Sequence, residues 1–275
     1  MYVVNASGEF EKFDSNKIKR TCLRAGASNK LANKIAREVT KKSYDGISTK
    51  EILHIALNLL KREEPFVAAR YDLKGALFRL GPAGFAFEHL AAEVLKEYGY
   101  LTKVHSIING ACVSHELDII SRKENKTFMI ECKYHNLPGI YTGLRDVLYT
   151  YARFLDLRDG FKKGLCQKFD QAWLLCNTKF SDDTVKYATC KGMKLIGWNY
   201  PKQQGFEKMI EQKNLYPITM LKSLDRDSQE KLASVGLVLT IDLLRMNTKE
   251  LSELTKIPKN RLVVFINEAR AICQI

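Results

Sequence analysis

Residues 115–136 read HELDIISRKENKTFMIECKYHN. Two apolar runs flank the link Arg122–Lys126, which is short enough for a tight hairpin centred on Glu124-Asn125. Within these strands Asp118, Glu131 and Lys133 stand where Val or Ile would cost less, since buried charges must hold each other or a metal. Alternate side chains of a strand share a face, so Glu131 and Lys133 project together while Phe128, Ile130 and Cys132 point the other way. A turn centred on Glu124-Asn125 sets Asp118 opposite Glu131, with Cβ atoms about 5 Å apart. A slip of one residue would move the two carboxylates to opposite faces.

Carboxylates that close repel each other unless a cation lies between them, and Mg²⁺ is a hard ion suited to such oxygens. Lys133, on the same face, can stabilise developing negative charge or help position an attacking water. Phosphodiester hydrolysis needs these parts. The plainer alternative is an ion pair on a solvated strand face. It is disfavoured here because the tripeptide lies beside an apolar run and opposite an aspartate.

The pattern D-x₁₂-E-x-K on a hairpin, after a helix with an early glutamate, resembles the PD-(D/E)XK nuclease superfamily. Within it, GFAFEHLAAEVLKEYGY (84–100) resembles the first helix of Mrr-like restriction endonucleases through Phe87, Glu88, Ala92, Gly99 and Tyr100. FDQAWLLCNTKFSDDTVKYATCKGMKLIGWNY (169–200) resembles the closing strand-helix-strand of that core, so the likeness spans roughly 84–213. It implies a metal-dependent DNA endonuclease using Mg²⁺ or Mn²⁺. The catalytic residues would be Glu88, Asp118, Glu131 and Lys133, with the metal on Asp118, Glu131 and the Cys132 backbone carbonyl. Helical spacing agrees for Glu88, which lies at the edge of the stripe Phe87, Leu90, Ala91, Val94 and Tyr98.

Two further units flank this one. Residues 1–83 read as a short hairpin around Ser7-Gly8 followed by helices capped at Asp14 or Ser15, at Ser28 and at Ser48. Ser48 and Glu51 form a potential capping box, and Pro65 suits the first turn of a fourth helix reaching about Leu80. Gly8, Phe13-Asp14, Lys17-Ile18, ISTKEI (47–52), Ala69 and Tyr71 resemble the ATP-cone domain, which implies ATP or dATP as ligand with Lys17 on the phosphates. The Lys-Arg pair that cones carry before the turn is Asn5-Ala6 here, so the affinity implied is low. Residues 216–275 read as short helices, and 232–270 resemble tandem helix-hairpin-helix modules that grip DNA backbones.

The fold expected is thus an α/β nuclease core over 84–215, a mixed restriction-endonuclease-like sheet, between two mainly helical domains. In the middle segment, helices are expected at 86–98, 141–157 and 182–191. Strands are expected at 101–108, 113–121, 126–133, 171–177 and 194–199. The net charge of +13 is spread over all three segments and favours a polyanion, DNA, as partner; a homodimer is compatible with this reading. Seven scattered cysteines, no apolar run near 20 residues and no signal-peptide pattern point to a reducing cytoplasm and no membrane. The rival function is a non-catalytic DNA-binding regulator with a nucleotide-sensing domain.

Overall fold

The computed structural model describes residues 1–81 and 84–274, so part of the expected 80–84 break lies outside the described residues. At the N-terminus, β1 (Tyr2–Val4) and β2 (Phe10–Lys12) form the expected antiparallel hairpin. It leads into α1 (Ser15–Arg24) and α2 (Asn29–Lys42), capped by the side chains of Asp14 and Ser28. The short β3 (Ile47–Ser48) returns parallel to β1, and α3 (Thr49–Glu63) follows it. Ser48 caps α3 by accepting from the Glu51 N–H, but only half of the expected capping box forms. The Glu51 carboxylate instead accepts from the Tyr44 hydroxyl at 3.0 Å.

The single helix expected from Pro65 is two helices, α4 (Pro65–Tyr71) and α5 (Leu73–Phe78). Asp72, a weak helix former, stands at the break, and its carboxylate accepts from Arg79 at 2.9 Å. The break matters for packing. Residues up to Ala68 fill one core with α1–α3, whereas Leu73, Leu77 and Leu80 fill another.

The middle of the chain forms α6 (Phe85–Glu97), β4 (Leu101–Asn109), β5 (Ser114–Lys123) and β6 (Lys126–Lys133). The two-residue β7 (Tyr141–Thr142) precedes α7 (Leu144–Lys162). The helix expected at 141–157 therefore begins three residues later and ends five later. Its first turn is tied back by the Asp146 carboxylate, which accepts from the Gly143 N–H at 3.1 Å. Next come β8 (Gln171–Cys176), β9 (Lys179–Phe180), α8 (Asp182–Lys191) and β10 (Lys194–Ile196). The last strand stops short of the expected 199 because Gly197 bridges to Tyr200.

The five-stranded sheet runs β10-β8-β6-β5-β4, parallel across β10, β8 and β6 and antiparallel across β6, β5 and β4. It is a mixed α/β sheet with helices on both faces. Phe87, Leu90 and Val94 of α6 cover one face, and Val147 and Leu157 of α7 cover the other. After α9 (Phe206–Gln212), the chain makes α10 (Arg226–Ser234), α11 (Asp242–Arg245), α12 (Thr248–Thr255) and α13 (Lys259–Cys273). Their apolar residues join the α6 core, so the hydrophobic interior runs without interruption across the expected 215/216 boundary.

Candidate functional site at the carboxyl edge of the sheet

The hairpin that opens the sequence reading turns on Glu124 (φ +51°) and Asn125 (φ +60°). Two positive φ values make the type I′ turn that matches strand twist in a two-residue hairpin. The register follows from it: Lys123 faces Lys126, and successive pairs reach Ile119 opposite Ile130. The next step brings Asp118 level with Glu131. There the ladder gives way to a side chain, for Asp118 Oδ2 accepts from the Cys132 N–H at 2.7 Å.

Around this pair the structure gathers most of the expected residues. Lys133, the last residue of β6, has its Nζ 3.4 Å from Asp146 Oδ1 in the first turn of α7. Glu88 reaches in from the first turn of α6. Its carboxyl group is pushed up to about 7, first by burial and then by the charges of Asp118 and Glu116. Burial also raises the carboxyls of Asp118 and Glu131, and Asp118 raises Glu131 further. The Cys132 side chain packs against the α6 core, the side from which Glu88 reaches in, and burial with the charges of Asp118, Glu88 and Glu131 pushes its thiol up.

Two site residues escaped the sequence reading. Arg153 of α7, 8% exposed, donates to Glu131 Oε2 and to the Glu116 backbone carbonyl. The signal was available in part: Arg153 shares the buried stripe of α7 with Val147, Thr150 and Leu157, where a cation needs an acid to meet. His105 of β4 was the second, with Nδ1 3.4 Å from Glu88 Oε2 and 3.9 Å from Glu116 Oε1. Nothing in the local sequence marks it. The two histidines that flank the hairpin have partners of their own: His115 Nε2 lies 2.8 Å from Asp156, and His135 Nε2 lies 3.1 Å from the Thr142 hydroxyl.

The donors at hand for a cation are the Asp118 and Glu131 carboxylates and the main chain. Among the described residues there is no group of three His, Cys, Asp or Glu side chains that could hold a metal.

Lys17, expected at nucleotide phosphates, lies elsewhere, in the N-terminal unit. It lines a cavity of about 170 Å³ with Val3, Phe13 and Tyr71, and its Nζ is 3.4 Å from Glu11.

Comparison with known proteins finds a family match at each end of the chain, and the one at the N-terminus agrees with the ATP-cone resemblance. Residues 1–73 match the ATP cone domain, and residues 216–273 match the family described as AF1548-like, C-terminal. An uncharacterized protein of Archaeoglobus fulgidus is 44% identical over 163 residues, which is 59% of this chain and 88% of the relative. A second uncharacterized protein of that organism is 57% identical over 37 residues, 14% of this chain and 77% of the relative. The crystal structure of a protein of unknown function, AF1548, superposes with a TM-score of 0.62 at 39% identity, covering 70% of this chain and 99% of that one. With likeness of that extent, and an ATP cone at its N-terminus, the chain belongs to the AF1548-like family.

Proposed function

We propose that the carboxyl edge of the sheet is the catalytic centre of a metal-dependent DNA endonuclease with a PD-(D/E)XK core of the Mrr-like kind. The observation that carries this reading is the β5–β6 register, which brings Asp118 level with Glu131 while Lys133 follows on the same strand. Arg153 offsets the charge of Glu131, but Asp118, raised by burial, has no basic side chain paired with it among the described residues, and a cation between the two half-buried carboxylates would supply one. Asp118, Glu131 and the Cys132 carbonyl would hold Mg²⁺ or Mn²⁺, which when bound activates water and screens phosphate charge. Lys133 would stabilise charge on the phosphate oxygens, and Glu88 would add a fourth polar group on the α6 side. The +13 net charge and a helical hairpin at Val235-Gly236, with Gly236 at φ +79°, support a nucleic-acid partner.

Incubation of the protein with plasmid, linear and branched DNA in Mg²⁺, Mn²⁺ or chelator tests the reading. Asp118→Ala, Glu131→Ala and Lys133→Ala are each expected to lose roughly 10²–10⁴ in cleavage rate while DNA binding persists. Undiminished metal-dependent cleavage by Asp118→Ala would rule the site out.

The ATP-cone match favours a second element, regulation by nucleotide, and keeps open a DNA-binding regulator that cuts nothing. The affinity expected for ATP or dATP is low. Asn5-Ala6 supplies no charge to phosphates, Lys17 is paired with Glu11, and 170 Å³ falls short of the roughly 300 Å³ at which ligand pockets begin. Calorimetric titration decides this. Micromolar binding that survives Lys17→Ala would show that the nucleotide sits elsewhere.

A further inference from the structure

β4 contains one residue out of keeping with a strand. His105 has φ +48°, a left-handed conformation that costs a side chain bearing a Cβ of order 1 kcal/mol or more and persists only where the surroundings enforce it. Its place in the sheet is telling. Val104 faces Ile119 and Ser106 faces Leu117, so His105 lies level with Asp118 on the side opposite Glu131. The antiparallel ladder is regular above and below it.

The side chain is held on several sides. Phe85, at the start of α6, stacks on the imidazole with ring centres 4.8 Å apart and planes 15° apart, and His89 lies 5.5 Å away. Nδ1 is directed at Glu88, 3.4 Å from Oε2, and Glu116 is more distant at 3.9 Å. Nε2 is buried and has no partner among the described residues. A buried ring nitrogen of that kind calls for a water or a ligand atom. Glu88 has no other basic side chain paired with it among the described residues.

We propose that His105 is the positioning residue of this site: the left-handed backbone turns its imidazole onto Glu88 and fixes that carboxylate beside Asp118. The proposal rests on the nuclease reading above and goes beyond it, since neither the motif nor the metal donors include a residue from β4. A purely structural role explains the conformation poorly. Glycine or asparagine would adopt the same φ at lower cost, whereas only a long polar ring reaches across to α6 from the edge strand.

Two variants that accept positive φ test it, His105→Gly and His105→Asn. Because His105→Gly relieves the backbone, its melting temperature is expected to stay level or rise by about 2–4 °C. Its kcat on DNA is expected to fall on the order of 10-fold or more with KM unchanged. If His105 acts through Glu88, adding His105→Gly to a Glu88→Gln protein should change the rate by less than about 2-fold. His105→Asn, which keeps a short amide donor, should lie between wild type and His105→Gly. Wild-type cleavage by His105→Gly would overturn the proposal and leave the nuclease reading standing, as would losses that multiply independently in the double variant. A fall in melting temperature of more than about 5 °C in both single variants would assign the residue to the fold instead. Failure of the wild-type protein to cleave any DNA with Mg²⁺ or Mn²⁺ would remove the nuclease reading and this proposal with it.

Discussion

Arg153 lies on the buried stripe of α7, where a hydrocarbon would pack at lower cost, and its guanidinium is engaged by Glu131 and the Glu116 carbonyl. Its Nε is buried without a partner among the described residues, and the Tyr149 ring lies 5.3 Å from the guanidinium carbon. Removing one member of a buried pair leaves the other charge uncompensated, so Arg153→Met is expected to lower stability by about 3 kcal/mol. The double variant Arg153→Met/Glu131→Gln should recover much of that loss, because no lone charge remains. Urea denaturation of the three proteins measures both effects, and equal stability of single and double variants would show that the pair is not coupled. Asp118, Glu131 and Lys133 were legible in the sequence because each is a charge inside an apolar strand, which is a local anomaly. Arg153 and His105 were not. Their meaning depends on which distant side chain they meet, and α7 and β4 approach the hairpin only through the tertiary fold.

At the level of elements, what the sequence disclosed best was whatever has a local cause. The β5–β6 register was readable because a two-residue link admits few turn geometries, and α8 was readable because Ser181 caps it and Gly192 ends it. Boundaries set by tertiary contacts were less so. β7 pairs with the distant β9, which holds Tyr141 and Thr142 extended ahead of the local start of α7 at Gly143 and Asp146. In the C-terminal unit, Asp242 sits in the first turn of α11 and accepts from the Leu239 N–H at 2.9 Å. Burial pushes its carboxyl up to about 6, helped by Glu93 and opposed by Arg245. The folded pKa thus lies above the unfolded value near 3.9, so the folded state binds the proton more tightly. Its contribution is full below about pH 4 and is lost as pH rises through 6, amounting to at most about 3 kcal/mol. Asp242→Asn keeps the acceptor and removes the titration. Thermal melts at pH 4.5 and pH 7.5 should converge in Asp242→Asn relative to wild type, and an unchanged difference would assign the pH dependence to other carboxyls.

On the scale of the whole molecule, the chain has a separate N-terminal core, a larger interior that runs from α5 and the α6 face of the sheet into the C-terminal helices, and two smaller clusters on the α7 face. The first comprises Val3, Ile18, Ile35, Leu60 and their neighbours, and ends with α4. The second joins Leu73 and Leu77 of α5, Phe87 and Leu90 of α6, Trp173 of β8, and Leu243, Leu262 and Phe265 of the C-terminal helices. Two polar joints link these cores, beside an apolar contact where Ala69 of α4 packs against the larger one. Arg24 meets Glu211 at 2.9 Å, and the buried Arg70 donates to the carbonyls of Ala25 and Ile272 at 2.6 and 3.0 Å. These differences predict opposite outcomes for two truncations. Removing residues 1–72 breaks two joints but exposes little of the larger core, so residues 73–275 should fold alone and melt cooperatively. Removing residues 217–275 takes away more than ten buried apolar side chains and uncovers the faces of α5 and α6 that they cover. Each apolar side chain of α5 and α6 left facing water in this way costs roughly 1.5–3 kcal/mol. Residues 1–216 should therefore retain a folded N-terminal unit joined to a middle segment without fixed packing. Hydrogen exchange followed by fragment can separate the two parts, with protection expected in α1–α3 and lost across β4–β6. Native-like protection of β5 and β6 in the 1–216 protein would mean that the C-terminal helices are an appendage rather than part of the core that holds the candidate site.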